Sequence, residues 1–158
     1  MEEQPHWLRA ISQTTLTPLV RQALKNDTLV VTTWTHQPIY GGAGIFAHLY
    51  RVAGNAQVGE QVVPWSLILK VSQAALGSPD PTHTSYWKRE ALVYQSGFLE
   101  QLRGGLVAPR CYAVHEPSEG ELWIWLEELH DMDGPHWSLA QYGLAARHLG
   151  AFNGHYLT

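Results

Sequence analysis

Several common functions are excluded by what this chain has little of. Cys111 is the single cysteine in 158 residues, so no disulfide can form within it. Ten Lys and Arg face fourteen Asp and Glu, for a formal charge of -4, and no basic block occurs. Nucleic acid, whose binding rests on phosphate neutralisation, is therefore not an expected partner. No apolar run approaches the roughly 18 residues of a membrane helix, so no membrane partner is expected either. The opening Met1-Glu2-Glu3-Gln4-Pro5 lacks the basic and apolar regions of a secretory leader, which makes the cytoplasm the expected compartment. Repeats and low-complexity stretches are absent as well.

What is present is core-forming material. Hydrophobic residues make up 45% of the chain, with seven Trp and seven Tyr, a composition that folds rather than stays disordered. Thr17-Pro18 followed by Leu19, Val20, Ala23 and Leu24 predicts a short helix with proline in its first turn. Leu29 to His36 and Ile45 to Val52 read as strands, separated by Tyr40-Gly41-Gly42-Ala43-Gly44. Gly54-Asn55 and Gly59 mark the next turn. Trp65 to Val71 is a third strand, with Trp65, Leu67, Leu69 and Val71 on one face and Ser66, Ile68 and Lys70 on the other. Trp87, Ala91, Tyr94, Phe98 and Leu102 recur at helical spacing and predict a helix over 86–102, ended by Gly104-Gly105. Arg110 to His115 and Leu122 to Leu126 are two more strands, joined by Pro117-Ser118-Glu119-Gly120. Ser138 and Gln141 stand at capping-box spacing ahead of a last helix. In that helix Leu139, Tyr142, Ala146, Leu149, Phe152 and Tyr156 form a stripe expected to be buried. The order implies an α+β fold with an antiparallel sheet of about five strands and one packed helix, followed by a long C-terminal helix.

Three features carry chemistry. Gly41, Gly42 and Gly44 let backbone N–H groups approach a phosphate, and equally suit a tight hairpin turn. Lys70 ends an otherwise apolar strand. It is either an edge-strand lysine that discourages sheet pairing or a lysine aimed at phosphates. Glu90 flanks the apolar stripe of the following helix. It is either a solvated glutamate paired locally or a group that reaches across to hold Lys70. His130-Asp131-x-Asp133-x-x-His136 has oxygen and imidazole donors at short spacing, but a polar linker is the commoner use of such a stretch, and no metal site is assigned.

A Gly-rich hairpin, a strand Lys, a helix Glu, two strands and a helix follow the order of a protein-kinase-like N-lobe. On these features, and on Leu67-Ile68-Leu69-Lys70-Val71, Tyr86 to Tyr94, Leu126-Glu127-Glu128-Leu129 and Ala145 to Gly154, the sequence resembles the aminoglycoside-phosphotransferase and choline-kinase-like superfamily. The resemblance spans roughly Leu29 to Leu157. It implies that residues 1–28 are an N-terminal helical extension, 29–129 a kinase-like N-lobe, and 130–158 a connector and first helix of a truncated C-lobe. It implies that Lys70 contacts the α- and β-phosphates of ATP, that Glu90 pairs with Lys70, and that Gly41, Gly42 and Gly44 cover the phosphates. Trp125 to Leu129, with Glu127, Glu128 and Leu129 at its centre, would offer backbone groups to the adenine edge, and Ile45, Ile68 and Leu126 would wall its ring. The family's catalytic His-x-Asp loop, its Asn and its later magnesium-binding Asp do not follow Asn153. No catalytic residue is therefore assigned in this chain, and magnesium ligands are expected outside it.

The resulting expectation is the ATP-binding part of a kinase that phosphorylates a hydroxyl of an aminoglycoside, amino-alcohol or sugar-like acceptor. A non-catalytic nucleotide-binding or scaffold module of the same fold is the alternative. The stripe of the last helix, left without its lobe, would be open to self-association.

Overall fold

The structure, a computed structural model, describes residues 6–39, 47–130 and 136–157. Gly41, Gly42, Gly44 and Ile45 lie outside the described residues, as do Asp131 and Asp133.

Five strands form one antiparallel sheet: β1 (Val30–Pro38), β2 (Ala47–Val58), β3 (Gln61–Gln73), β4 (Cys111–Ser118) and β5 (Glu121–Leu126). Their order is β1-β2-β3-β5-β4, so β3 is central. Helix α1 (Gln13–Leu24) follows a 3-10 turn at His6–Ala10, α2 (Arg89–Gln95) lies between β3 and β4, and α3 (Leu139–Tyr156) comes last. No helix among the described residues is long and apolar enough to cross a membrane.

The alternation read in β3 is the alternation observed. Trp65, Leu67, Leu69 and Val71 are buried, in one cluster with Val31, Val52, Trp123 and Trp125. Leu16, Leu19 and Val20 of α1, with Leu8 and Ile11, complete that cluster. Residues between Leu8 and Val20 thus supply a layer of the main core. Helix α2 lies on the opposite face, where Ala91 packs with Leu122, Ile124 and Leu126. The expected single packed helix becomes two, one on each face.

Several boundaries move. Helix α1 starts at Gln13, because Ser12 caps it by accepting from the Thr15 amide at 3.2 Å. Pro18 consequently falls inside the helix. Gly54-Asn55 is no turn. Strand β2 runs through it, and a Cβ on Gly54 would lie 1.9 Å from the Thr33 carbonyl oxygen. The glycine is there because the β1 register shifts between Val31 and Thr33, which brings the two backbones together. The reversal comes later, at Gly59 with φ +60°.

The helix expected over 86–102 is interrupted. Ser96 turns its hydroxyl back onto the Val93 carbonyl at 2.8 Å, Gly97 takes φ +72°, and a 3-10 turn follows at Phe98–Gln101. The capping box of α3 is formed as read, with Ser138 and Gln141 exchanging hydrogen bonds at 2.6 and 3.3 Å. Its stripe is not buried. Leu139 is 88% exposed, and Tyr142 and Leu149 are exposed as well. Helix α3 rests on the rest of the chain through its second half, by Phe98 against Tyr156 at 5.1 Å between ring centroids and a 2.5 Å hydrogen bond between His148 Nδ1 and the Gly104 carbonyl.

Candidate functional site

Lys70 lies on the central strand, opposite Leu49 on β2 and Ile124 on β5. A strand hydrogen-bonded on both sides has no edge to protect, so the edge-strand reading of Lys70 falls away. Its side chain leaves the face opposite the main core and meets Glu90 of α2, with Nζ 2.5 Å from Oε2. Lys70 is 16% exposed and Glu90 is 40% exposed. The partner of Glu90 is therefore a distant strand lysine and not a neighbour on its own helix. The pairing follows from local structure: Ala91 inserts into the cluster with Leu122 and Ile124, which seats the first turn of α2 beside Lys70.

Both groups line a cavity of about 450 Å³, within the usual size range of small-molecule sites. Arg89, Tyr94 and Ser72 line it too, together with Ala47, the first residue described after the glycine-rich segment. Burial raises the Tyr94 hydroxyl to about 12, helped by the nearby Glu90 and Cys111, so Tyr94 is a neutral phenol at any ordinary pH.

The other predicted positions lie along the same sheet face, toward the connector after β5. Ile68 faces Leu126 across the β3–β5 pair, two positions from Lys70 and on its side. Glu127 is occupied by the sheet. Its amide donates to the Arg110 carbonyl at 2.9 Å, and its carboxylate accepts from the Arg110 amide at 3.1 Å. The Glu127 amide is thus engaged in extending the β4–β5 ladder. Leu129 is exposed. Glu128 turns under the sheet to Arg51 of β2, Nε to Oε1 2.6 Å.

Burial alone would raise the Glu128 carboxyl. Hydrogen bonding from Arg51 and Ser66, with the charges of Arg51 and His130, outweighs it and holds the group below its ordinary value of 4.5. The buried Oε2 has no hydrogen-bond partner among the described residues. Among the described residues no group of three or more His, Cys, Asp or Glu is placed to hold a metal ion.

Sequence reasoning missed three of these residues. Tyr94 had been read only as part of an apolar stripe. Arg89 stood unremarked beside Glu90. Arg51 alternates with Leu49 and Ala53 on one face of β2, a pattern that placed it on the Lys70 side once the register was known. No protein-family model, no curated protein and no solved structure matches this chain.

Proposed function

We propose that this chain is the ATP-binding N-terminal part of a small-molecule phosphotransferase of the aminoglycoside-phosphotransferase type, working in the cytoplasm. The observation that carries the reading is the Lys70–Glu90 pair. A lysine on the central strand of an antiparallel sheet is held by a helix glutamate inside a ligand-sized cavity. Such an ammonium is positioned for phosphate oxygens before any ligand arrives, which lowers the cost of ordering it on binding. Glu90 orients it. Half-buried Ile68, opposite Leu126, is the apolar residue further along the same face, the side on which a base would lie. Tyr94, as a neutral phenol, adds a donor without adding charge.

The reaction in this reading is phosphoryl transfer to a hydroxyl of an aminoglycoside, amino-alcohol or sugar-like acceptor. Positioning and electrostatics dominate such transfer. This chain's part is to grip and align the nucleotide. No catalytic base and no magnesium ligand is assigned among its residues. Self-association through the exposed face of α3 belongs to the same proposal, and light scattering across a concentration series reports it.

The test is phosphoryl transfer by the full-length gene product carrying Lys70→Ala, alongside a melting curve. The expected result is a fall in kcat/KM of tenfold or more, on the order of one charge-assisted contact, with the melting point nearly unchanged. Glu90→Ala is expected to act in the same direction and more weakly. Unchanged turnover in a folded Lys70→Ala protein rejects the reading. Nucleotide binding without transfer to any hydroxyl acceptor favours the non-catalytic module.

A further inference from the structure

We propose that Arg89 is a second cation of this site, so that the cavity takes two adjacent phosphates, one on Lys70 and one on Arg89. The proposal deepens the nucleotide reading and rests on it. Three charged residues, Lys88, Arg89 and Glu90, stand in a row at the start of α2. Two of them are matched by opposite charge. Lys88 reaches both carboxylate oxygens of Glu116 at 2.9 and 3.0 Å, and Glu90 holds Lys70. Arg89 meets no carboxylate among the described residues. Its Nη2 donates instead to the His83 carbonyl at 2.5 Å.

That bond uses one of the five N–H groups of the guanidinium and leaves the others for a ligand. It also fixes the head group, because the 83–89 turn is itself tied down. The Ser78 amide donates to the Ser85 carbonyl at 2.9 Å, and the Arg89 amide to the Tyr86 carbonyl at 3.1 Å. Arg89 lines the same cavity as Lys70 and Glu90. Two cations against one carboxylate leave the cavity with a positive excess, and neutral Tyr94 does not cancel it. A single ligand anion would be satisfied by Lys70 alone. A fixed guanidinium lining the same cavity adds planar, two-pronged recognition of a second phosphate.

The experiment is an NMR titration of the chain with ATP, ADP, AMP and inorganic tripolyphosphate, repeated for Arg89→Ala, Arg89→Lys and Lys70→Ala. A circular-dichroism melt confirms that each variant is folded. The wild-type chain is expected to bind ATP and ADP more tightly than AMP. Arg89→Ala should lose about tenfold in ATP affinity while AMP affinity hardly moves, and Arg89→Lys should recover part of the loss. If Arg89 only held the 83–89 turn, ATP and AMP would weaken together, and that result overturns the proposal. An unchanged ATP-to-AMP ratio in Arg89→Ala, with binding lost in Lys70→Ala, overturns it and leaves the nucleotide reading standing. Tripolyphosphate binding that depends on Arg89, without preference for any nucleotide, upholds the two-phosphate site and rejects the nucleotide reading. Failure of the wild-type chain to bind any of the four overturns both.

Discussion

The two faces of the sheet are built for different ends. On one, Leu67, Leu69, Val71, Val52, Val31 and Trp125 are fully buried beneath α1. On the other, the same strand β3 presents Ser66, Ile68 and Lys70, all half-buried, and α2 covers only part of the surface. The first face carries apolar bulk and the second carries charge pairs, Lys70 with Glu90 and Arg51 with Glu128. Period-two alternation makes the division possible, since neighbouring residues of one strand serve opposite faces. In the proposed nucleotide reading, folding and binding are therefore open to separate perturbation.

The largest test of that separation is Trp125→Ala, which removes a fully buried side chain from the packed face. A loss of about 3–5 kcal/mol is expected, read as a drop in the urea midpoint. A loss below about 1 kcal/mol would contradict the assignment of the main core. Next comes Ser12→Ala, which removes the cap of the helix that covers this face. About 1 kcal/mol is expected, and Ser12→Gly should cost much less.

Acid separates the faces in two steps. His115, whose ring lies 6.3 Å from that of Trp123, has its pKa lowered by burial, and its Nε2 has no hydrogen-bond partner among the described residues. The folded state therefore takes up its proton less readily than the unfolded chain. Stability from this group is intact above the ordinary 6.5 and is lost as pH falls through the lowered value. Glu128 on the other face is also depressed. Its contribution is present above 4.5 and fades as pH falls below that. Stability measured from pH 8 to 3 should show both declines. His115→Gln should erase the upper one and Glu128→Gln the lower, each by less than about 1 kcal/mol given partial exposure. A single decline untouched by either variant would break the assignment.

The smallest effect on folding is expected for Lys70→Ala, under about 1 kcal/mol, because a partly exposed pair contributes little to stability. In the proposed reading its consequence belongs to binding. Destabilisation comparable to that of Trp125→Ala would mean that the two faces are not functionally distinct.

Local pattern was legible in the sequence wherever one physical rule acted alone. The alternation of β3 set the side of Lys70, and the Ser138–Gln141 spacing set the start of α3. Legibility failed where a local signal had a nonlocal cause. Gly54 looked like a turn and is a crossing point of two backbones at a bulge. The apolar stripe of α3 is exposed, as expected of a face left without its lobe, and periodicity shows only that one face is apolar and not what would cover it. The 86–102 helix read through Ser96-Gly97, where a side-chain hydroxyl competes for the backbone and ends it.

By itself, then, the sequence determined the antiparallel strands, the face on which Lys70 stands, and glutamate as a candidate partner, because these depend on residue type and spacing along the chain. Tertiary structure alone decided that β3 is central, that Glu90 meets Lys70 and not a neighbour on its own helix, and that Arg89 joins their cavity while Glu128 is taken by Arg51. Those choices depend on strand order and on where α2 docks. Both are fixed by packing among residues far apart in the chain, which no local spacing encodes.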